Sequence, residues 1–159
     1  MRALVQRVNH ASVTTEDEIP SSPSANGLPL RNSIGKGYVV FLGVGHEDGV
    51  KEADKLWNKL SKLRIFEDES GKTNLSLKDI GGEVLLVSQF TLYANCRKGN
   101  RPSFTQAGAP DTANELYEYF TRLIIEDGVP VKTGWFGAMM KVELENDGPF
   151  TIWLDTDSL

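Results

Sequence analysis

A short apolar run near the middle of the chain constrains the fold more than any other feature. Residues 84–87 read Val-Leu-Leu-Val, and the pair Gly81-Gly82 precedes them. A run of β-forming residues with this length and this boundary is typical of a strand that is buried on both faces. The sequence therefore predicts a central strand at this position.

Polar side chains follow this predicted strand directly. Ser88, Gln89 and Thr91 stand within the stretch that ends at Leu92. Hydroxyl and amide groups that leave water need hydrogen-bond partners, because burying them unpaired costs free energy. A polar cluster at the end of a buried strand is therefore either a satisfied structural network or a functional site, and this stretch alone favours neither.

The composition is that of one soluble globular domain. The chain has 159 residues, of which 40% are apolar and 25% are charged, and this length suits a single core. We expect one domain over residues 1–159 and no membrane contact, because no apolar run approaches the roughly eighteen residues that a membrane span requires. The net charge of −5 restricts contact with nucleic acid to a local basic patch.

Cysteine and histidine usage bears on location and cofactors. Cys96 is the single cysteine, so a disulfide within the chain is impossible and a cytoplasmic location is expected. His10 and His46 stand alone, without the spacing of a metal site. We predict that the protein holds neither a metal nor a cofactor.

Periodicity predicts the other elements. Strands are expected at residues 2–14, 38–45, 64–66, 131–133, 140–145 and 150–154, with a turn at 146–149. Apolar residues at helical spacing predict one helix after Asp48, its candidate N-cap, and a second after Pro110. Two long amphipathic helices are expected to cover one face of a sheet. Residues 16–33 contain serine, proline and acidic side chains, and we interpret them as an exposed, flexible insertion.

One segment is densely basic. Arg97, Lys98 and Arg101 lie within five residues, between Tyr93 and Phe104. Such a segment is either a solvated loop or a contact for phosphate groups. Its position directly after the polar strand end favours the phosphate contact.

The familiar catalytic arrangements are missing from the sequence. Ser88 and Thr91 are possible nucleophiles, but no histidine lies in a motif that indicates a triad, and the Gly-x-Ser-x-Gly, P-loop and Rossmann patterns are absent. If the chain is an enzyme, it could instead use backbone donors and groups on its substrate.

Two motifs nevertheless indicate a family. Residues 88–93 (Ser-Gln-Phe-Thr-Leu-Tyr) and 146–151 (Asn-Asp-Gly-Pro-Phe-Thr) resemble the paired signature motifs of the D-aminoacyl-tRNA deacylases. The resemblance extends over essentially the whole chain and includes residues 1–8, 63–66, 74–77, 97–104 and 151–155. The insertion at 16–33 is longer than the turn usual in the family, and Phe150 stands where a smaller aliphatic residue is common.

The resemblance implies a mixed α/β fold with two β layers and one helix layer, assembled as a homodimer. It implies hydrolysis of the ester that joins a D-amino acid, or glycine, to the terminal adenosine of tRNA. This activity would be a chiral proofreading step in translation, in which rejection of L-substrates sets the specificity.

The resemblance also implies roles for particular residues. Ser88, Gln89, Phe90 and Thr91 would form the catalytic pocket, with backbone amides supporting the oxyanion and the adenosine 2′-hydroxyl assisting. A cis Gly148-Pro149 peptide would enter the partner subunit's pocket and hold the substrate's amino group. The resemblance assigns two further residues to substrate binding, Arg7 and Met140. Arg97, Lys98 and Arg101 would contact tRNA.

Two other functions fit the residues. A non-catalytic RNA-binding module would use the basic segment alone. A hydrolase of small esters or amides would use Thr91 as a nucleophile. Deacylation of a D-aminoacyl-tRNA would exclude the first of these, and replacement of Thr91 would test the second.

Overall fold

The computed structural model describes residues 1–19 and 29–159. The helices in these residues are α1 (Val50–Leu60), α2 (Pro110–Glu126) and two short 3-10 helices (Phe90–Tyr93 and Thr156–Ser158). The strands are β1 (Arg2–Thr15), β2 (Leu30–Ile34), β3 (Gly37–Gly43), β4 (Arg64–Glu67), β5 (Thr73–Ser76), β6 (Glu83–Ser88), β7 (Val131–Thr133) and β8 (Lys141–Asp155). No helix in these described ranges is long and apolar enough to cross a membrane.

Strand β1 organises the sheet. Its first half pairs with β3 and its second half pairs with β2, both antiparallel, while β8 runs antiparallel along its other side. The sheet continues from β3 through β6 to β7 with parallel pairing. Strands β4 and β5 form a separate hairpin. The result is a mixed α/β fold in which β6 lies inside the sheet, as the apolar run at 84–87 predicts.

Burial of β6 on both faces has a direct cause. Val84 and Leu86 point into one hydrophobic core, whereas Leu85 and Val87 point into a second core on the opposite face. Alternation along a strand makes this division necessary, because successive side chains leave opposite sides of the pleat. The sheet curls around the second core, and Asn32 of β2 donates a hydrogen bond to the carbonyl of Thr133 in β7 (2.7 Å).

The two amphipathic helices cover the first core. They pack against each other, with the rings of Trp57 and Phe120 edge to face at 6.0 Å. Most of the apolar stripe predicted for each helix is buried in this core, namely Ala53, Leu56, Trp57 and Leu60 in α1, and Leu116, Tyr117, Phe120 and Ile124 in α2. The other predicted members, Leu63, Ala113 and Leu123, are partly buried against it. The prediction of two helices on one face of a sheet is confirmed.

Several predicted boundaries were wrong. Gly49, and not Asp48, is the N-cap of α1, because the Asp48 carboxylate instead accepts a hydrogen bond from the amide of Gly45. The insertion predicted at 16–33 does not extend to its end: residues 30–33 belong to β2, which main-chain hydrogen bonds to β1 stabilise despite its polar side chains. Residues 20–28 of that insertion lie outside the described residues.

The turn predicted at residues 146–149 is also wrong. Strand β8 pairs with β1 both before and after this position and does not reverse its direction. Asn146 lies opposite Val8, and Thr151 lies opposite Gln6, so four residues of β8 face Arg7 alone. The extra residues, 147–150, project from the ladder as a bulge, a feature known to redirect main chain near functional sites.

Candidate functional site

The first part of the site is the segment of residues 88–93, which we call the strand-end segment. Ser88 ends β6, Gln89 leaves the strand, and Phe90–Tyr93 form a 3-10 helix. The amide of Gln89 still donates to the carbonyl of Leu42 in β3 (2.8 Å). The chain therefore changes from strand to helix at the sheet edge, where its amides leave the ladder.

Two side chains of the strand-end segment, Phe90 and Thr91, project toward solvent. Phe90 is 56% exposed, and the edge of its ring packs on Phe104 with centroids 5.1 Å apart. The amide nitrogen of Gln89 donates to the Thr91 hydroxyl, which is also exposed. Neither acid nor base occurs between Ser88 and Thr91. The segment therefore offers hydroxyl, amide and aromatic groups together with its main chain.

Close approach of two backbones makes this arrangement possible. A Cβ atom added to Gly43 would lie 3.1 Å from the carbonyl oxygen of Gln89 and 3.1 Å from the Cβ of Leu92. Any larger residue at position 43 would push the strand-end segment away from β3. The sequence gives one indication of this close approach, because Gly43 stands at the end of the buried strand that neighbours β6.

The basic segment follows directly. A pair of main-chain hydrogen bonds between Asn95 and Ser103, 2.7 and 3.0 Å long, closes its base. The loop between them presents Arg97, Lys98 and Arg101, all exposed. The sequence contains no aspartate or glutamate from 84 to 110. No acidic residue close in sequence therefore offsets the positive charge of these three side chains. A loop of this kind is suited to binding an anionic polymer.

The second part of the site is the bulge of residues 147–150. The Gly148–Pro149 peptide bond is cis, as the resemblance to the deacylases predicts, and Gly148 has a φ of +146°. L-residues rarely adopt this φ, and a Cβ at position 148 would also lie 2.7 Å from the amide nitrogen of Phe150. Gly148 and Pro149 are both exposed. The bulge therefore presents main chain, with very little side chain, to its surroundings.

Arg7 supports the bulge from beneath. The side chain is buried, with 6% of the residue exposed. Its Nε donates to the carbonyl of Asp147 (2.9 Å), and its Nη1 donates to the carbonyl of Ile65 (2.6 Å). The guanidinium also lies 4.9 Å from the centre of the Phe150 ring. Arg7 thus connects both ends of the bulge to strand β4.

Asn146 closes the bulge at its base. Its side-chain oxygen accepts from the amide of Phe150 (2.6 Å), and its side-chain nitrogen donates to the Thr151 hydroxyl (3.0 Å). The sequence motif contains Asn146, but the motif by itself does not indicate this role. The contact explains why an asparagine precedes the pair Gly148-Pro149, because a short amide side chain can satisfy main-chain groups four residues away.

Met140 is not brought to the bulge within one chain. Its sulfur accepts a hydrogen bond from the amide of Trp135 (3.3 Å), and its side chain packs against the second core. Lys141, the next residue, pairs with Thr14, at the far end of β8 from the bulge. Met140 and Asp147 are seven residue steps apart along the chain, roughly 20 Å in an extended strand.

The two parts of the site are also far apart in one chain. Arg7 pairs with Tyr38, and Tyr38 pairs with Val84, four residues before Ser88 on β6. Three strand spacings and four residues of strand separate the bulge from the strand-end segment, roughly 20 Å along the sheet. A single chain therefore does not bring together the two sets of residues that the motifs single out.

Comparison with known proteins identifies the relatives of this chain. The model of a family described as D-Tyr-tRNA(Tyr) deacylase matches residues 4–155. A D-aminoacyl-tRNA deacylase of Bacillus pumilus is 52% identical over 156 residues, covering 98% of this chain and 99% of that protein. A deacylase of the same name from Thermotoga petrophila is 52% identical over 159 residues, covering 100% and 99%.

Two solved structures share the fold. One, titled c-Myc DNA Unwinding Element Binding Protein, has a TM-score of 0.85 and 41% identity, with 98% of each chain covered. The other, a probable eukaryotic D-amino acid tRNA deacylase, has a TM-score of 0.78 with 96% and 97% covered. Its identity is 19%, so that likeness concerns the fold alone.

Proposed function

This chain belongs to the D-Tyr-tRNA(Tyr) deacylase family, and we propose that it hydrolyses the ester of D-aminoacyl-tRNA and of glycyl-tRNA. The products are free tRNA and the free amino acid, so the reaction removes D-residues before they reach translation. The observation that carries this proposal is the bulge, which exposes the main chain of Gly148 and Pro149 at the position of the second motif.

The proposed recognition of chirality follows from a site wall made of main chain. Carbonyl groups of Gly148 and Pro149 accept hydrogen bonds from the ammonium of the substrate. A rigid backbone this close to Cα leaves no space for a side chain in the L position, whereas hydrogen or a D side chain points elsewhere. Glycyl-tRNA is therefore a substrate. Specificity of this kind is rejection by steric clash and is independent of the side chain that is accepted.

A homodimer is required for this mechanism. The bulge and the strand-end segment lie roughly 20 Å apart along the sheet of one chain, too far to contact one aminoacyl group. In the proposed dimer, two layers of sheet and one layer of helices belong to each subunit, and the bulge of one subunit enters the pocket of the other. Met140, which is remote from the bulge of its own chain, can then contribute to a pocket that the partner completes.

Catalysis in this proposal relies on donors rather than on a side-chain base. Residues 88–91 include no titratable group, so main-chain amides at the strand end stabilise the oxyanion of the tetrahedral intermediate. The 2′-hydroxyl of the terminal adenosine assists attack on the ester. Exposed Phe90, backed by Phe104, offers an aromatic surface beside this adenosine.

The tRNA body is bound by charge. Arg97, Lys98 and Arg101 are exposed on a loop next to the strand-end segment, in a part of the sequence that lacks acidic residues from 84 to 110. We assign phosphate contacts to these three side chains, which lets a protein of net charge −5 bind a polyanion locally. A charged tRNA substrate also supports a cytoplasmic location.

One experiment tests the activity. Purified protein is incubated with one tRNA species charged with D-tyrosine, L-tyrosine or glycine, with and without a chelator. We expect cleavage of the D-tyrosyl and glycyl esters, resistance of the L-tyrosyl ester and no effect of chelation. Equal cleavage of the D- and L-esters would refute rejection by main chain, and loss of activity on chelation would refute metal independence.

A second experiment tests the shared pocket. Two inactive variants, one altered at the bulge and one at the strand-end segment, are mixed and allowed to exchange subunits. In a mixed dimer, one of the two pockets contains both intact parts. Each mixed dimer should therefore have about half the activity of a parent dimer. Activity that stays absent after verified exchange would place the complete site within one subunit.

A further inference from the structure

The end of the strand-end segment has an unusual set of contacts around Tyr93. The ring lies directly against Gly45: a Cβ added to Gly45 would lie 2.7 Å from Cε1, Cζ and the hydroxyl oxygen of Tyr93. These are the closest contacts that such an atom would make, and all three belong to this one ring. Glycine at position 45 is therefore explained by the position of Tyr93.

Arg2 packs over the face of the same ring. Its guanidinium carbon is 4.3 Å from the ring centre, a cation–π distance. The Nη1 of Arg2 also donates to the carbonyl of Leu92 (3.0 Å), and its Nε is paired with Asp155 (2.9 Å). Arg2 thus joins the last strand to both the ring and the main chain of the strand-end segment.

Asp48 holds the hydroxyl of the ring. The Tyr93 hydroxyl donates to Oδ2 of Asp48 (3.0 Å), and the amide of Gly45 donates to the same oxygen (2.6 Å). The other oxygen of Asp48 pairs with the ammonium of Met1. Burial, followed by the nearby Asp48 charge, raises the pKa of Tyr93. The phenol therefore stays protonated and keeps donating over the whole neutral and mildly alkaline range.

We propose that Tyr93 is a positioning residue. Gly45, Arg2 and Asp48 fix its ring, and the fixed ring holds the main chain of the strand-end segment in the position that the substrate requires. This inference rests on the deacylase function proposed above and adds a residue that influences the rate of deacylation without contacting the substrate. Tyr93 touches no reacting atom. It acts through the residues that precede it in the 3-10 helix.

The geometry explains why the far end of the segment needs an anchor. At the near end, the amide of Gln89 is bonded to β3, and at the far end Tyr93 is fixed. Between these two points Phe90 and Thr91 are exposed and receive no support from the core. A shift of about 1 Å in such a segment can lower a rate roughly 100-fold, because oxyanion donors act only at hydrogen-bond distance.

Gly45→Ala is the decisive variant. The added methyl group displaces the Tyr93 ring, while the backbone of position 45 has no positive φ that would itself oppose alanine. We expect kcat for D-tyrosyl-tRNA to fall roughly 10- to 100-fold, with KM changed by less than about threefold. Gly35→Ala is the matched control, since its Cβ meets only the Glu83 Oε2 atom, at 3.4 Å, and it should retain the parent kcat.

A second background separates positioning from simple damage. In Tyr93→Ala protein the ring is gone, so adding Gly45→Ala has nothing to displace. The double variant should match Tyr93→Ala in kcat within about twofold, a strongly non-additive result. Additive losses would overturn the inference, because Gly45 would then act independently of Tyr93. Each rate is divided by the folded fraction from circular dichroism.

The remaining outcomes are also decisive. If Gly45→Ala does not fold, Tyr93→Phe is the alternative variant, because it removes the hydroxyl alone. It should lower kcat several-fold at constant KM. A kcat equal to that of the parent protein would overturn the role of Asp48. A parent protein that leaves D-tyrosyl-tRNA intact would refute the proposed function itself. A parent that is active while Gly45→Ala equals Gly35→Ala would refute the positioning role alone.

Discussion

The strand-end segment and the bulge, the two parts of the proposed site, present different chemical groups and are held in place by different contacts. The strand-end segment follows β6, a strand that is buried on both faces, and its residues 88–91 offer polar and aromatic side chains. The bulge lies within β8, which pairs only with β1 among the described residues, and it offers main chain. A buried cation, Arg7, fixes the bulge by hydrogen bonds to main chain, whereas the strand-end segment is fixed through the Tyr93 ring, which contacts the Arg2 guanidinium and the Asp48 carboxylate.

The contrast indicates a division of tasks. Main chain has the same chemistry whatever residue carries it, so a bulge can exclude one enantiomer without recognising any particular side chain. Side chains at the strand end are adjustable and suit the constant part of the substrate, its terminal adenosine. Changes that alter the shape of the bulge should therefore have larger effects than changes that remove one side chain from the strand-end segment.

Gly148→Ala should have the largest effect. A φ of +146° and a contact of 2.7 Å with the amide of Phe150 both oppose alanine, so the bulge must change shape. We expect deacylation to fall by more than about 100-fold and the free energy of unfolding to fall by about 1–3 kcal/mol. Rates with D-tyrosyl-tRNA and urea unfolding measure the two effects.

Gly71→Ala is the control for strain alone. Gly71 has a φ of +73°, and a Cβ added there would meet no atom within 4 Å outside its chain neighbours. It should lose stability to a similar extent but keep its activity per folded molecule. If both variants lose activity equally, backbone strain in general, and not the shape of the bulge, limits the reaction.

Arg7→Met should have the next largest effect. The substitution keeps an unbranched apolar stem but removes the guanidinium, so the carbonyls of Asp147 and Ile65 lose their donor. Each unsatisfied buried group costs about 1–3 kcal/mol, and the bulge loses its connection to β4. We expect a stability loss of that size, measured by urea unfolding, and a rate loss of roughly 10- to 100-fold. Unchanged D-over-L selectivity in a folded Arg7→Met protein would contradict the supporting role.

Neutralising the basic segment should have a moderate effect. Replacement of Arg97, Lys98 and Arg101 by alanine should weaken tRNA binding roughly tenfold at low salt and reduce the slope of log affinity against log salt by about 2–3. Filter binding over a range of salt concentrations measures both quantities. A triple variant at Lys51, Lys59 and Lys62, which are exposed on or beside α1, changes the net charge equally and should bind as the parent does.

Thr91→Ala should have the smallest effect. Its hydroxyl accepts a bond from Gln89 and is exposed, so its loss should cost less than about tenfold, well below the roughly 10²–10⁴-fold that an acid or base contributes. A tRNA that ends in 2′-deoxyadenosine should react far more slowly than the normal substrate. Loss of all activity in Thr91→Ala, together with normal cleavage of the deoxy substrate, would identify Thr91 as the nucleophile.

The parts of the fold that sequence could predict are those that burial dictates. Residues 84–87 had to be apolar because both faces of β6 are covered, and helical spacing was sufficient for α1 and α2. Strand β2 was missed because its sequence, Leu-Arg-Asn-Ser-Ile, is polar and it exists through main-chain pairing with β1. The local composition of residues 30–34 does not indicate that they pair with β1.

For the candidate site, the sequence could indicate a set of residues but not their spatial arrangement. Asn-Asp-Gly-Pro has the same local chemistry in a reversal and in a bulge, and the pairing of β8 with β1 on both sides decides between them. The contact of Tyr93 with Asp48 joins residues 45 positions apart, so neither residue indicates the other. The motif resemblance indicated both parts of the proposed site, because a family motif can include residues that are distant in sequence, whereas local spacing cannot.

The pairing of β1 with β8 has a consequence for folding kinetics. Arg2 and Asp155, which are ion-paired, are separated by 153 positions in sequence, and contacts this distant form late because loop closure is entropically costly. Until β8 arrives, one flank of β1 presents unpaired N–H and C=O groups that any extended chain could join. The bulge forms in the same step that covers this flank. A folding intermediate without β8 is thus the species most exposed to aggregation, and it also lacks the bulge to which we assign the rejection of L-substrates.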